Sequence, residues 1–124
     1  MLYLKLYEYE AKEIASKYGI PVPRGRVAST LEEATSIAGE LGYPVVLKAQ
    51  VLVGGRGLAG GIKVASTPDE LRAAFKLLLE SRIRGEKVEK VLVEERVCIA
   101  RELYISLTVD RAERKLVYLV SPLG

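Results

Sequence analysis

The chain has 124 residues, of which 49% are hydrophobic and 28% are charged, and its formal net charge is +3. This balance predicts one soluble domain spanning 1–124, because single domains most often have about 100 to 150 residues. The sequence has no histidine and one cysteine, which excludes a histidine base or ligand, an internal disulfide and a cysteine zinc site from this chain. No apolar run approaches the roughly 20 residues of a membrane span, and charged residues interrupt the N-terminus where a secretory signal is apolar. We therefore expect a cytoplasmic protein that has no membrane partner.

The placement of charge and of cysteine argues against two further classes of function. Basic residues are spread along the chain and interleaved with 16 acidic residues, whereas nucleic-acid-binding domains gather lysine and arginine on one face or in one run. The pattern predicts a solvated surface of mixed charge and no nucleic-acid partner. The one cysteine, Cys98, lies between Val97 and Ile99, and these neighbours predict a buried small apolar side chain rather than a nucleophile.

Apolar periodicity and turn residues predict three helices and six strands. Thr30 and Thr67 cap the second and third helices, and Gly19 ends the first. In chain order the predicted elements are helix 7–18, strand 26–28, helix 30–41, strand 44–49, strand 62–65, a helix that begins at residue 68, and strands 88–96, 102–109 and 115–121. The connections between the last three strands are too short for crossover helices, so these neighbours are expected to be antiparallel. The predicted fold class is α+β, with helices packed on one face of a mostly antiparallel sheet.

A glycine-rich loop between two predicted strands is the first candidate for chemistry. The segment 53–61 contains five glycines and Arg56, and it matches neither the dinucleotide fingerprint nor the Walker A loop. One interpretation is a flexible surface hairpin. The other is a flap whose free backbone N–H groups cover a polyphosphate, with the Arg56 guanidinium adding a positive charge.

Lys48 and three carboxylates extend this candidate site. Lys48 closes an apolar strand just before the glycine loop, so its ammonium either reaches solvent or meets an anion, for which a phosphate is the natural choice. Glu94 and Glu95 end another apolar strand, and Glu102 begins the next. Carboxylates at such positions either are solvated strand ends or accept hydrogen bonds from an adenine amino group or ribose hydroxyls.

Five sequence blocks, in order along the chain, carry a family resemblance. They are Leu6-Tyr7-Glu8-Tyr9-Glu10-Ala11-Lys12, Gly19-Ile20-Pro21-Val22-Pro23, Val46-Leu47-Lys48-Ala49-Gln50-Val51, Gly54-Gly55-Arg56-Gly57-Leu58-Ala59-Gly60-Gly61, and Leu92-Val93-Glu94-Glu95 followed by Ile99-Ala100-Arg101-Glu102-Leu103-Tyr104. Together they resemble the N-terminal part of the ATP-grasp domain in succinyl-CoA synthetase β subunits. The similarity covers essentially the whole chain.

The resemblance implies a nucleotide site and a set of partners. It implies that Lys48 contacts the nucleotide phosphates, that Glu94 and the backbone of Val97 bind the adenine edge, and that Glu102 binds the ribose. It implies that the flap over the phosphates consists of Gly55, Arg56 and Gly57. The implied cofactors are ATP and Mg²⁺, and Pro23 resembles the ATP-type rather than the GTP-type members. The implied partner is an α subunit, which carries the histidine that is phosphorylated in this family.

Two departures from the family pattern bear on function. Leu52 stands where many bacterial members have a histidine. The family's β subunit also continues well beyond the length of this chain, and that continuation carries the Asn and Asp that bind Mg²⁺. We therefore expect an N-terminal subdomain that lacks the remainder of the β subunit, is inactive alone and self-associates. The alternatives are a weak nucleotide-binding or subunit-interaction module, and the corresponding part of a related acid-CoA ligase or citrate-cleaving enzyme.

Overall fold

The computed structural model describes residues 4–124 and contains three helices and eight strands in that range. The helices are α1 (Glu8–Lys17), α2 (Leu31–Leu41) and α3 (Pro68–Glu80). The strands are β1 (Gly25–Ala28), β2 (Val45–Ala49), β3 (Ile62–Ala65), β4 (Arg82–Ile83), β5 (Glu86–Lys87), β6 (Val91–Glu95), β7 (Tyr104–Asp110) and β8 (Lys115–Ser121). Each predicted helix and strand is present, and the α+β class is confirmed. The short hairpin of β4 and β5 was not predicted, because two-residue strands have no measurable periodicity.

Four strands form the central sheet in the order β1-β6-β2-β3, and every neighbouring pair is antiparallel. The prediction that the last three strands are all antiparallel neighbours is wrong for β6, which lies between β1 and β2. Its residues Val91 to Val93 are buried on both faces of the sheet, as is typical of a central strand, and its backbone pairs with β1 on one side and β2 on the other. β7 pairs instead with β8 in a separate hairpin.

Alternation along the strands separates a core face from a second face. On β2, Val45, Leu47 and Ala49 are buried while Val46 and Lys48 are partly exposed. The core face packs against α2 and α3, whose buried residues include Ile37 and Phe75. Two helices therefore cover the apolar side of the sheet, so the prediction that the helices share one face holds for α2 and α3 but not for α1.

Local capping explains where α2 and α3 begin. The hydroxyl of Thr30 accepts a hydrogen bond from the backbone N–H of Glu33, and that of Thr67 accepts one from Glu70, each at 3.2 Å. Pro68 occupies the first turn of α3, where its missing N–H is not needed. Both predicted caps are confirmed.

Helix α1 lies on the second face of the sheet and has no buried residue. Polar contacts fasten it: the backbone N–H of Tyr9 donates to the side chain of Gln50 at 3.1 Å, and Gln50 is buried at the end of β2. These contacts place the first turn of α1 beside Lys48. Within the described residues, none of the helices has the length and apolarity needed to cross a membrane.

The β7–β8 hairpin presents one wholly apolar face. Directly opposite residues on that face pair as Ile105 with Val120, Leu107 with Tyr118, and Val109 with Leu116. All six side chains are more than half exposed. We call these six residues the hairpin face.

Candidate functional site

Lys48 and Glu94 form the centre of the candidate site. Both lie on the second face of the sheet, where Lys48 is on β2 and Glu94 is on the adjacent strand β6. The Lys48 ammonium is 2.7 Å from Oε1 of Glu94, and the Glu94 carboxylate also pairs with Lys12 of α1. Glu94 is 2% exposed. The lysine predicted to meet an anion therefore does so, with a carboxylate of its own chain.

Glu8, in the first turn of α1, joins the same charged group. Its carboxylate lies 3.1 Å from the Lys48 ammonium and 2.9 Å from that of Lys12, and it also pairs with the guanidinium of Arg56. The charged cluster thus consists of Lys12, Lys48, Arg56, Glu8 and Glu94. With three cations and two carboxylates, it keeps a formal charge of +1 while its members neutralise one another at close range.

Arg56 reaches this cluster because the glycine loop folds its side chain inward. The guanidinium donates to the carbonyl of Ala49 at 3.2 Å, and the backbone N–H of Gly61 donates to the Arg56 carbonyl at 2.8 Å. A side chain at Gly61 would collide with that of Arg56, and Gly55 has φ +75°, which glycine tolerates best. The predicted loop between antiparallel strands is confirmed, since β2 pairs with β3 across it.

The β4–β5 hairpin supports the loop from the other side. The guanidinium of Arg84 donates to the carbonyl of Gly54 at 3.0 Å, and a carboxylate oxygen of Glu86 accepts from the backbone N–H of Leu52 at 3.0 Å. Arg84 has a left-handed backbone with φ 50°, as the tight turn between two-residue strands requires. The glycine loop is therefore held at its start rather than being free along its length.

Mutual contacts shift the pKa values of two cluster members. Burial alone would raise the pKa of Glu8, but hydrogen bonds from Lys12 and Arg56 and the charge of Lys48 outweigh it and lower the pKa to about 2. Burial alone would lower the pKa of Lys48, but the Glu94 and Glu8 carboxylates outweigh it, so the pKa is raised. Both groups are therefore charged at neutral pH.

An open groove of about 660 Å³ lies between α1 and β1, next to the cluster. Its wall includes Tyr9, Pro23 and Leu92, together with the cluster members Lys12 and Glu94. Its lining is mostly apolar with a few polar groups, as is typical of small-molecule sites. The cluster and the groove therefore share Lys12 and Glu94.

The predicted site residues fall into two groups. Lys48, Arg56 and Glu94 come together, and Gly55 and Gly57 flank Arg56 in the loop. Val97 and Glu102 lie in the exposed connection between β6 and β7, and within residues 4–124 neither lines the groove. The prediction that Cys98, in the same connection, is buried is wrong, because Cys98 is exposed. The chain leaves the core after Glu95, so the apolar neighbours Val97 and Ile99 are themselves exposed and do not bury Cys98.

Sequence reasoning missed Glu8 and Lys12 as site residues. Their spacing of four places both on one side of α1, where they form an ion pair. That spacing was the available signal, but only the packing of α1 against β2 and β6 shows that the pair meets Lys48 and Glu94. Among residues 4–124, no group of three or more acidic, cysteine or histidine side chains is placed to hold a metal ion. Glu8 and Glu94 are held by cations, which does not fit a Mg²⁺ site.

The site thus places a lysine and an arginine beside a glycine-rich hairpin and an open groove, and backbone N–H groups and cations of this kind can bind anions. The family model described as an ATP-grasp domain matches residues 5–124, and the chain belongs to the ATP-grasp family. The predicted likeness to acid-CoA ligases is confirmed by its relatives.

Curated relatives are subunits of succinate–CoA ligases. The chain is 60% identical over 121 residues to the ADP-forming succinate–CoA ligase subunit beta of Staphylothermus marinus. It is 52% identical over 121 residues to the GDP-forming subunit beta of Thermus thermophilus. Each match covers 98% of this chain and 32% of the relative, so the chain spans about a third of the length of these relatives.

Solved structures share the fold. PH1788 from Pyrococcus horikoshii superposes with a TM-score of 0.83 at 30% identity, covering 96% of this chain and 52% of that one. ACD1 of Ca. Korarchaeum cryptofilum, solved in complex with coenzyme A, gives 0.74 at 33% identity, covering 97% and 61%.

Proposed function

We propose that the chain is the nucleotide-binding part of a succinate–CoA ligase β subunit. The observation that carries this proposal is the charged cluster, which places Lys48 and Arg56 side by side at the base of a glycine loop and next to a groove. The identity of 60% to a β subunit supports the family of the enzyme. The activity of the whole enzyme is an inference from relatives three times as long.

The cluster and the groove would bind different parts of a nucleotide. The phosphates would lie against Lys48, Arg56 and the loop N–H groups, because charge-assisted hydrogen bonds to phosphate are the strongest available there. The base would lie in the groove, where Glu94 accepts from the adenine amino group and Pro23 forms part of the wall. We further propose that the Val97 backbone completes the adenine contacts and that Glu102 binds the ribose, both by resemblance to the family.

In the complete enzyme these residues would position ATP for transfer of a phosphoryl group. Catalysis of such transfers rests on positioning and on stabilising charge. The acceptor would be a histidine of the partner α subunit, and the phosphorylated enzyme would then drive formation of succinyl-CoA from succinate and CoA. We expect Mg²⁺ to be held by parts of the β subunit outside these residues. The cytoplasmic location stays a prediction.

The chain by itself is proposed to bind nucleotide without turnover. The groove is open, so it neither excludes water nor encloses the phosphates. If a purified sample hydrolyses ATP and Lys48→Ala leaves the rate unchanged, the activity comes from a contaminant. If Lys48→Ala abolishes the hydrolysis, the proposed inactivity of the chain is contradicted.

Calorimetric titration of the 124-residue chain with ADP tests the nucleotide site. We expect binding, weakened about tenfold or more by Lys48→Ala, because a charge-assisted contact to phosphate is lost. The matched control is Lys76→Ala on the exposed side of α3, which should bind as wild type does. GDP in place of ADP tests the base preference. Equal ADP affinity in all three proteins would overturn the phosphate role of Lys48.

A related acid-CoA ligase is the second candidate. Another structural neighbour, a dinucleotide-forming acetyl-coenzyme A synthetase of Ca. Korarchaeum cryptofilum, has 30% identity and a TM-score of 0.76. The acid substrate would be chosen by residues outside this chain. Activity of the full-length complex with succinate against acetate separates the two candidates.

The chain is also proposed to self-associate or to dock on a further part of a β subunit. The hairpin face exposes six apolar side chains on a two-stranded ribbon, and such ribbons are marginally stable without a third strand or a helix packed against them. Apolar area of this kind is usually covered. A weak nucleotide-binding or subunit-interaction module would have the same surface, so ligase activity of the complete β subunit with an α subunit decides between these roles.

A further inference from the structure

Glu8 occupies an unusual place among the residues proposed to bind phosphate. Its carboxylate contacts both Lys48, at 3.1 Å, and Arg56. A carboxylate and a phosphate present similar acceptor oxygens to lysine and arginine. The two cations that a nucleotide phosphate needs are therefore already joined by one anion of the chain.

We propose that Glu8 is an internal stand-in for a nucleotide phosphate, and that phosphate binds to Lys48 and Arg56 by displacing it. The proposal rests on the proposed nucleotide site and adds that Glu8 sets the affinity of that site for phosphate. Glu8 is thus a positioning residue: it holds the Lys48 ammonium and the Arg56 guanidinium together until the ligand arrives.

The contacts of Arg56 favour exchange of one anion for another. Within residues 4–124, the Nε–H of Arg56 is buried and has no hydrogen-bond acceptor, which is a costly state for a charged side chain. A phosphate can accept two parallel hydrogen bonds from the guanidinium fork. Glu8 contacts the guanidinium through Nη1, and a phosphate, which has more acceptor oxygens than a carboxylate, offers a further acceptor to the nitrogen that Glu8 leaves unpaired.

Lys48 can change partners without losing its orientation. Its ammonium has three N–H groups, and the bond to Glu94 at 2.7 Å is independent of Glu8. Lys12 pairs with both carboxylates, so it can retain a displaced Glu8. The net charge of +1 on the cluster attracts the incoming anion.

The test separates the phosphate end of the ligand from the base. Tripolyphosphate and adenosine are titrated separately into wild type, Glu8→Gln and the control Glu10→Gln, which removes an equal charge from the same helix. We expect Glu8→Gln to bind tripolyphosphate about tenfold more tightly, since a charge competing at close range is removed. Adenosine affinity should stay within about twofold in all three proteins, and Glu10→Gln should resemble wild type throughout.

The outcomes distinguish this inference from the proposed function. If wild type binds tripolyphosphate and Glu8→Gln binds it equally or more weakly, Glu8 has only a structural role. In that case displacement of Glu8 by phosphate is overturned and the nucleotide site is not. If tripolyphosphate and ADP bind to none of the proteins, the nucleotide site and the inference both fail.

A second measurement on the wild type guards against misfolding of Glu8→Gln. The pKa of Glu8 can be measured by following its carboxyl carbon by NMR as the pH is changed. When tripolyphosphate is bound, this pKa should rise toward the ordinary glutamate range, because Lys48 and Arg56 then contact the phosphate instead of Glu8. An unchanged titration at saturating tripolyphosphate would overturn displacement.

Discussion

The ammonium of Lys48 lies 2.7 Å from Oε1 of Glu94, so a cation on one central strand is paired with a carboxylate on the strand beside it. In the register of β2 and β6, Val46 faces Glu94 and Lys48 faces Leu92, which makes Lys48 and Glu94 diagonal neighbours on one face. Glu94 is almost fully buried. Because a buried carboxylate must be paired, the sheet fixes the direction of the Lys48 side chain before any ligand is present.

Removing the Glu94 carboxylate should destabilise the fold strongly. Glu94→Ala removes the buried one of the two carboxylates that Lys48 and Lys12 share, leaving both lysines with Glu8 alone, and breaking a buried pair costs about 3 kcal/mol. Urea unfolding followed by circular dichroism measures the loss.

Glu95→Ala is the matched control for Glu94→Ala. Glu95 is next in the chain but pairs with Arg24 at the surface, at 3.1 Å, and exposed pairs contribute little. The free energy of unfolding should fall much less for Glu95→Ala. Similar losses in the two variants would contradict the buried placement of Glu94.

Glu8 should make the free energy of unfolding depend on pH in the acid range. Its pKa is about 2 in the folded chain against an ordinary 4.5, so the unfolded chain binds the proton first as pH falls. The contribution is complete above pH 4.5 and is lost as pH falls toward about 2, with a total of about 2 kcal/mol after allowance for solvent screening.

The Glu8→Gln variant isolates this acid dependence. It removes the titrating group, so the difference in unfolding free energy between wild type and variant should shrink as pH falls from 4.5 to about 2. Glu10→Gln serves as the control and should follow wild type. A difference between wild type and Glu8→Gln that stays constant over that range would show that Glu8 titrates normally.

Gly25 and Gly39 should respond to alanine in opposite directions. A Cβ at Gly25 would lie 2.6 Å from the Val93 carbonyl and 2.8 Å from Cγ of Glu94, whereas one at Gly39 of α2 would meet nothing within 4 Å. Gly25→Ala should therefore cost about 1–3 kcal/mol, and Gly39→Ala should stabilise by about 0.5–1 kcal/mol. Thermal unfolding measures both, and destabilisation by Gly39→Ala would contradict the open space beside it.

The helices and most strands could be predicted from the sequence because their signals are local. Thr67, Pro68 and the apolar stripe of α3 lie within one short segment, and so does the alternation that marks β2. The position of β6 between β1 and β2 could not be predicted. Strand order depends on which residues meet across more than forty positions of chain, as Val46 and Glu94 do.

In the candidate site, too, residues close in sequence could be predicted to act together, whereas residues brought together by packing could not. Lys48 and Arg56 are eight positions apart on adjoining elements, so the strand and loop pattern predicted that they act together. Their partner Glu8 lies on α1, forty residues before Lys48, and its role follows only from the packing of that helix on the second face. The roles of Val97 and Glu102 stay predictions, because a nucleotide must bind before contacts in the exposed connection can be tested.

The hairpin face should drive self-association of the chain. Leu107 and Tyr118 are opposite each other on that face, and both are more than half exposed. A charged side chain placed between apolar neighbours opposes their burial against another surface. Leu107→Glu should therefore shift the chain toward monomer in sedimentation velocity at high concentration.

Thr108→Glu is the control, because Thr108 is also exposed but points to the opposite face of the same strand. It adds the same charge to the hairpin, so a general effect of charge would change both variants alike. We expect wild type and Thr108→Glu to associate and Leu107→Glu to do so less. A wild type that stays monomeric at high concentration would contradict association through the hairpin face, and would leave the remainder of a β subunit as the surface that covers it.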